Sequence, residues 1–295
     1  MTAALLTLFW LAGVAPQTPS NSVFQTENAR EGQFSFRDGV LEVAPGRGWL
    51  RTPRLYSDFS LSLEFRTQDD QAAADLVLRA LVPERGVISP AYRIPLLQLL
   101  SGTPGTAVTP PKNAIKVIKE GRVDARPPGE WQRLDVSAIR ESLTVSLNGA
   151  LVGEYRIDQL AGYLLINPRQ GRVEMRNIGV TALDMPFDPP AGTLTITQVK
   201  RAGGVVPTVR QEVKPFYPTD ALHVRKVQGQ VLLECVVLPT GAVGDVRVMR
   251  SVDPDLDQSA VAALRRWKFS PGTDHGVPVP VIVEVEIAFA ISTSR

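Results

Sequence analysis

Five carboxylates, Glu64, Asp75, Glu130, Glu154 and Glu174, stand on or beside stretches that read as β-strand. Glycoside cleavage commonly needs two such groups about 5 to 10 Å apart, one on each side of the scissile bond. Their spacing brings no two of them together, and carboxylates are expected on the wet face of any strand pattern. No catalytic residue is therefore assigned, and the expectation is a binding protein rather than an enzyme. Asp69, Asp70 and Asp75 have the oxygen chemistry that calcium takes, but a solvated acidic loop has the same composition, so no metal is expected. Trp49 and Trp131 carry ring faces that can stack on sugars and are the candidate carbohydrate-binding residues; tryptophan among strands also serves as core. The single Cys235 permits neither a disulfide framework nor a cysteine zinc cluster. Two histidines, His223 and His275, leave little for triads or metal sites. There is no phosphate-cradling glycine loop, nucleophile elbow or HExxH, and no cofactor is expected.

The elements that would hold these residues divide into two sets. A chain of 295 residues, 44% hydrophobic and 21% charged, has the composition of ordinary globular domains and the length of two. Its 32 basic residues nearly cancel 30 acidic ones, and no basic run with interleaved aromatics is present, which argues against nucleic acid. Ala3 to Val14 is an almost unbroken apolar run before a polar stretch. Residues 1–19 therefore read as a signal peptide for export to the periplasm, with an uncleaved anchor as the alternative. The run is shorter than the roughly 20 residues that span a bilayer core comfortably.

Residues 20–184 read as an all-β sandwich of jelly-roll type. Phe59, Leu61, Leu63 and Phe65 alternate with Ser60, Ser62, Glu64 and Arg66, the pattern of a half-buried antiparallel strand. Leu143, Val145 and Leu147 run into Asn148-Gly149, a strong hairpin signal, and Leu151 to Tyr155 returns as partner. Val173 to Val180 is a further strand, and Ser101 to Lys112 a long loop. Three prolines between Asp184 and Gly192 resist helix and central strand, so 185–192 is placed as the linker.

Residues 193–295 change texture to α+β. Val231, Leu233, Cys235 and Val237 share one strand face, and Pro239-Thr240-Gly241 turns the chain into Val243 to Met249. A helix follows with Asp253 as N-cap, Pro254 at its first position, Asp255 and Asp257 at the positive end, and Arg265 and Arg266 at the other. Leu256, Ala260, Ala263, Leu264 and Trp267 form its apolar stripe. A long alternating strand from Val281 ends the pattern. These elements carry KPFYPTDAL at Lys214 to Leu222, GQVLLECVVLPTGAVGDVRVMRS at Gly229 to Ser251, LDQSAVAALRRWKFSPG at Leu256 to Gly272 and GVPVPVIVEVEIAF at Gly276 to Phe289. In that order they resemble the C-terminal domain of TonB-family proteins, a three-stranded antiparallel sheet with helices. The resemblance implies that the last strand is an exposed edge pairing with an extended segment of an outer-membrane transporter. The implied partner-binding residues are Val283, Glu284, Val285, Glu286, Ile287 and Phe289, flanked by Lys214, Phe216, Tyr217 and Pro218. An edge of this kind could also pair with itself in a homodimer. The transmembrane anchor and long Pro-rich spacer of an energy-transducing TonB are not matched.

The first domain carries LYSDFSLSLEFRT at Leu55 to Thr67, GEWQRLDVS at Gly129 to Ser137, LNG at Leu147 to Gly149 and GYLLIN with GRVEMRNIGVTAL between Gly162 and Leu183. It resembles the concanavalin-like sandwich family named for 3-keto-disaccharide hydrolases, which implies carbohydrate as a partner and, as the alternative function, sugar-active chemistry tethered by the C-terminal module. Where that family has an Asn-Ser-Gly-Val-like turn before its arginine, this chain reads Asp75-Leu76-Val77-Leu78-Arg79, which speaks against inherited catalysis.

Overall fold

The computed structural model describes residues 23–68, 71–81, 92–101, 108–109 and 115–291. The expected signal peptide, Asp69, Asp70 and most of the Ser101 to Lys112 loop lie outside these residues. Among the described residues no helix is long and apolar enough to cross a membrane.

The N-terminal strands are β1 (Gln25–Glu27), β2 (Phe34–Arg37), β3 (Val40–Val43), β4 (Trp49–Arg51), β5 (Phe59–Thr67), β6 (Ala73–Ala80) and β7 (Tyr92–Pro95). After the short helix α1 (Leu96–Leu100) come β8 (Ile115–Glu120), β9 (Gln132–Ile139), β10 (Ser142–Leu147), β11 (Ala150–Ile157), β12 (Tyr163–Gln170) and β13 (Val173–Ala182). They form two antiparallel sheets, one in the order β1-β4-β12-β6-β7 and one in the order β2-β3-β13-β5-β9-β10-β11-β8. This is the expected sandwich. Phe59, Leu61, Leu63 and Phe65 of β5 face Leu76, Leu78, Leu164 and Ile166 of the smaller sheet in one core, and the serines and charged residues between them face outward. The Asn148-Gly149 hairpin forms with Leu147 opposite Ala150. Both turn residues have positive φ, 51° and 84°, the backbone of a two-residue turn whose twist matches the strands.

Strand β6 departs from the half-wet pattern. Every residue from Ala74 to Ala80 is buried. Ala74, Leu76 and Leu78 enter the sandwich core, whereas Val77 and Ala80 join Trp49, Leu55, Tyr163 and Leu165 in a separate cluster on the outer face of the small sheet. Periodicity reads only the faces a sheet has by itself, and here a second domain covers the outer one.

That domain contains β14 (Leu194–Thr195), α2 (Ile196–Arg201), β15 (Thr208–Gln211), a π-helical turn (Asp220–Val224), β16 (Gly229–Val237), β17 (Val243–Arg250), α3 (Pro254–Leu264), β18 (Lys268–Ser270), β19 (Gly272–Asp274), β20 (Val277–Val279) and β21 (Val281–Phe289). Its main sheet has four strands, β14-β21-β16-β17, not three, because the two residues of β14 add in parallel beside the start of β21. The Thr195 hydroxyl and Gln198 side chain close a reciprocal capping box that stops β14 and starts α2. In α3, Asp253 caps the backbone N–H groups of Asp255 and Leu256, as expected. The helix ends at Leu264, so Trp267 lies beyond it, with its indole N–H donating to the Val213 carbonyl at 2.9 Å. Leu256, Ala260 and Leu264 pack on Val231, Leu233 and Cys235 of the sheet.

Candidate functional site

The strand β21 pairs along its full length with β16, Val281 opposite Val237 and Phe289 opposite Gly229, without a register shift. On its other side it meets only Leu194 and Thr195, opposite Val281 and Ile282. From Val283 onward that side has no partner strand among the described residues. The Leu194 N–H donates to the Pro280 carbonyl at 2.9 Å, so Pro280 directs its backbone toward β14. Because backbone groups alternate between the two sides of a strand, Glu284, Glu286 and Ala288 direct theirs to the open edge. Val283, Val285, Ile287 and Phe289 direct theirs to β16, and their side chains pack in or against the module's core. Of the expected contact residues, then, only Glu284 and Glu286 offer backbone donors and acceptors to a newcomer. Their side chains are exposed, and Glu286 is held by Arg250 at 2.7 Å.

The flanking segment divides between two neighbours. Tyr217 sets its ring edge-on to Phe289, centroids 5.2 Å apart, and its hydroxyl donates to the Val227 carbonyl. Phe216 turns the other way and packs against Trp49, Leu55, Val77, Ala80, Tyr163 and Leu165 of the sandwich. Its carbonyl accepts from the Ser259 hydroxyl of α3. Pro218 is buried before the π-helical turn, and Lys214 is exposed. Lys214 and Phe216 line, with Leu55, Gln159, Ser259 and Arg266, a cleft of about 180 Å³ between the domains.

This junction is the part of the site that no sequence pattern announced. Arg51 on β4 donates to Glu27 at 2.7 Å and to Asp220 of the module at 3.1 Å. Burial by itself would lower the Arg51 pKa, and these two carboxylates outweigh it and hold the guanidinium above its ordinary value. The Leu55 N–H donates to Asp255 at 2.9 Å, and Ser57 bonds Gln258. Asp58 is 3% exposed and accepts from the Arg140 N–H at 2.6 Å and from Arg265 of the module at 2.9 Å. Arg79 stands 3.7 Å from it, with no exposed surface, donating to the carbonyls of Ser57, Arg140 and Gln159. Burial pushes its pKa down to about 10. Arg79 holds φ at 51°, and a Cβ on Gly162 would come within 2.2 Å of its carbonyl carbon, so a glycine is required opposite. The strand arginine that the family resemblance singled out therefore braces the domain contact.

The remaining candidates are engaged elsewhere. Trp49 is buried beneath Phe216 and is no open stacking platform. Trp131 has the guanidinium carbons of Arg66 and Arg176 at 4.6 and 4.0 Å from its ring centre. Glu64 pairs with Arg176 at 2.6 Å, Glu174 with Arg66, and Asp75 accepts from Arg169 at 2.7 Å. Glu154 lies 3.5 Å from the Ser142 hydroxyl, and Glu130 is exposed. Arginine pairing holds three of the five in ion pairs.

Comparison with known proteins gives two family matches. Residues 18–181 match the 3-keto-alpha-glucoside-1,2-lyase-like domain. Residues 213–291 match the C-terminal domain of the Gram-negative bacterial TonB protein. Protein TonB of Vibrio cholerae is 31% identical over 112 residues, 38% of this chain and 46% of that protein. The chain spans less than half the length of the curated relatives it matches. Among solved structures, a carbohydrate binding module from Bacillus subtilis covers 55% of this chain and 96% of its own at 12% identity, with a TM-score of 0.39. The C-terminal domain of Pseudomonas aeruginosa TonB covers 30% of this chain and 90% of its own at 24% identity, with a TM-score of 0.27.

Proposed function

Since the chain belongs to the 3-keto-alpha-glucoside-1,2-lyase-like domain family through its sandwich and carries a TonB C-terminal domain, we propose that it is a cell-envelope binding protein of the periplasm. Its C-terminal module captures an extended segment of an outer-membrane transporter by strand addition. The observation that carries this reading is the one-sided pairing of β21, open from Val283 to Phe289. Unpaired backbone donors and acceptors supply affinity to an added strand, and the alternating side chains beside them set its choice. The sandwich takes carbohydrate, a reading supported by its family, and binds rather than cleaves it, since Glu64, Glu174 and Asp75 are tied up by arginines.

The test uses the direction of the backbone groups. Glu286→Pro removes an edge donor without touching the β16 ladder, and proline is tolerated where the N–H faces away from the sheet. It should abolish binding to N-terminal segments of outer-membrane transporters, measured by titration calorimetry across a panel, while leaving the circular dichroism spectrum unchanged. A folded Glu286→Pro chain that still binds such a segment overturns edge capture.

A further inference from the structure

Among the described residues, four buried side-chain polar atoms have no hydrogen-bond partner: Trp49 Nε1, Tyr163 Oη, Arg140 Nε and Arg265 Nε. All four belong to the contact between sandwich and module. Trp49 and Tyr163 lie in the cluster under Phe216, Arg140 reaches across to Asp245 and Arg265 to Asp58. A surface made for permanent burial satisfies such groups or replaces them with apolar ones. The arrangement on the sandwich side has a different logic. It presents an indole with a free N–H, a phenol with a free hydroxyl, and a guanidinium 4.3 Å above the phenol ring and fixed by Glu27.

We propose that this outer face of the five-stranded sheet, around Trp49, Tyr163 and Arg51, is a binding surface for a sugar ring that the C-terminal module holds shut. Stacking faces beside unmet donors and a charge pair fit the apolar C–H face and the hydroxyls of a pyranose or furanose. The module supplies substitutes for both. The Phe216 ring covers the aromatic cluster, and Asp220 places its carboxylate oxygens 3.1 and 3.3 Å from Arg51, where ligand oxygens would stand. The cleft of about 180 Å³ along the same contact gives the seam at which it parts. Docking of the module and binding of sugar then exclude each other, and each weakens the other by the same factor. The inference rests on the reading of the sandwich as a carbohydrate binder and adds where the ligand sits and what gates it.

The test keeps the full chain. Ser57 and Gln258 bond across the contact, so Ser57→Cys with Gln258→Cys locks it shut when oxidised, Cys235 being fully buried and out of reach. Phe216→Ala with Asp220→Ala gives the open chain, in which the cover over Trp49 and Tyr163 and the carboxylate on Arg51 are removed. Sucrose, maltose, trehalose and cellobiose serve as probes in titration calorimetry. The open chain should bind at least one of them tenfold or more tighter than the oxidised lock, reduction should return the lock to wild-type affinity, and Trp49→Ala in the open chain should abolish binding. Equal binding by locked and open chains overturns the gated site while leaving the sandwich a carbohydrate binder. No binding by a folded open chain overturns both. If the open variant does not fold, affinity of the lock before and after oxidation decides, and an unchanged value overturns the proposal.

Discussion

At the scale of single residues, burial decides what each chemical group can do. Cys235 is typed as a nucleophile, but its side chain is fully buried among Val231, Leu233 and Leu256, and burial pushes its thiol from 9 up to about 12. A raised folded pKa means that folding favours the protonated form. The stability this contributes is complete below pH 9 and is lost as pH rises toward about 12. Tyr92, raised from 10 to about 12, acts in the same direction but only above pH 10. Arg79, lowered from the ordinary guanidinium value to about 10, acts in the opposite direction and also only above pH 10. Between pH 9 and 10 the thiol alone of these three changes, so urea denaturation should show a decline there that Cys235→Ala removes. The residue types were legible in the chain. Which of them a second domain would bury was not, and Trp49 lies covered by Phe216 for that reason.

At the scale of elements, strand alternation and helix caps carried far. The hairpin at Asn148-Gly149, the Asp253 cap and the alternation of β21 all depend on near neighbours, and all stand where the pattern placed them. The fourth strand of the module did not show, because two residues are too few to make a period. The same element scale divides the edge into two kinds of position. Val285 directs its N–H to Leu233 of β16 and its side chain toward the core, so Val285→Pro should unfold the module, seen as loss of circular dichroism signal, whereas Glu286→Pro leaves it folded. Loss of binding in a Val285 variant therefore reports on the fold, and loss in the Glu286 variant reports on the edge.

At the scale of the whole molecule, the two domains are joined by a contact whose centre is charged. Asp58 holds Arg265 at 2.9 Å and lies 3.7 Å from Arg79, each nearly or fully buried. Asp58→Ala would leave two buried guanidiniums without their carboxylate, a loss of about 3 to 5 kcal/mol. Thermal unfolding of the full chain should then change from one calorimetric transition to two, the module parting from the sandwich first; a single transition shifted as a whole would show that the contact does not hold the domains together. The contact also changes what the C-terminal module is. Phe216 and Asp220 face the sandwich, so the docked module presents its β21 edge on the side away from Phe216 only while this contact is made. The sequence by itself determined the classes of the sandwich and of the module and the strand that ends the pattern, because periodicity, caps and turn residues act over a few positions. Only the tertiary structure decided that Arg79 braces a domain contact, that Trp49 lies under Phe216 and that the free backbone groups of β21 belong to Glu284, Glu286 and Ala288. Those facts depend on groups as far apart in the chain as Asp58 and Arg265, and on which side of a strand is already paired, neither of which leaves a local trace.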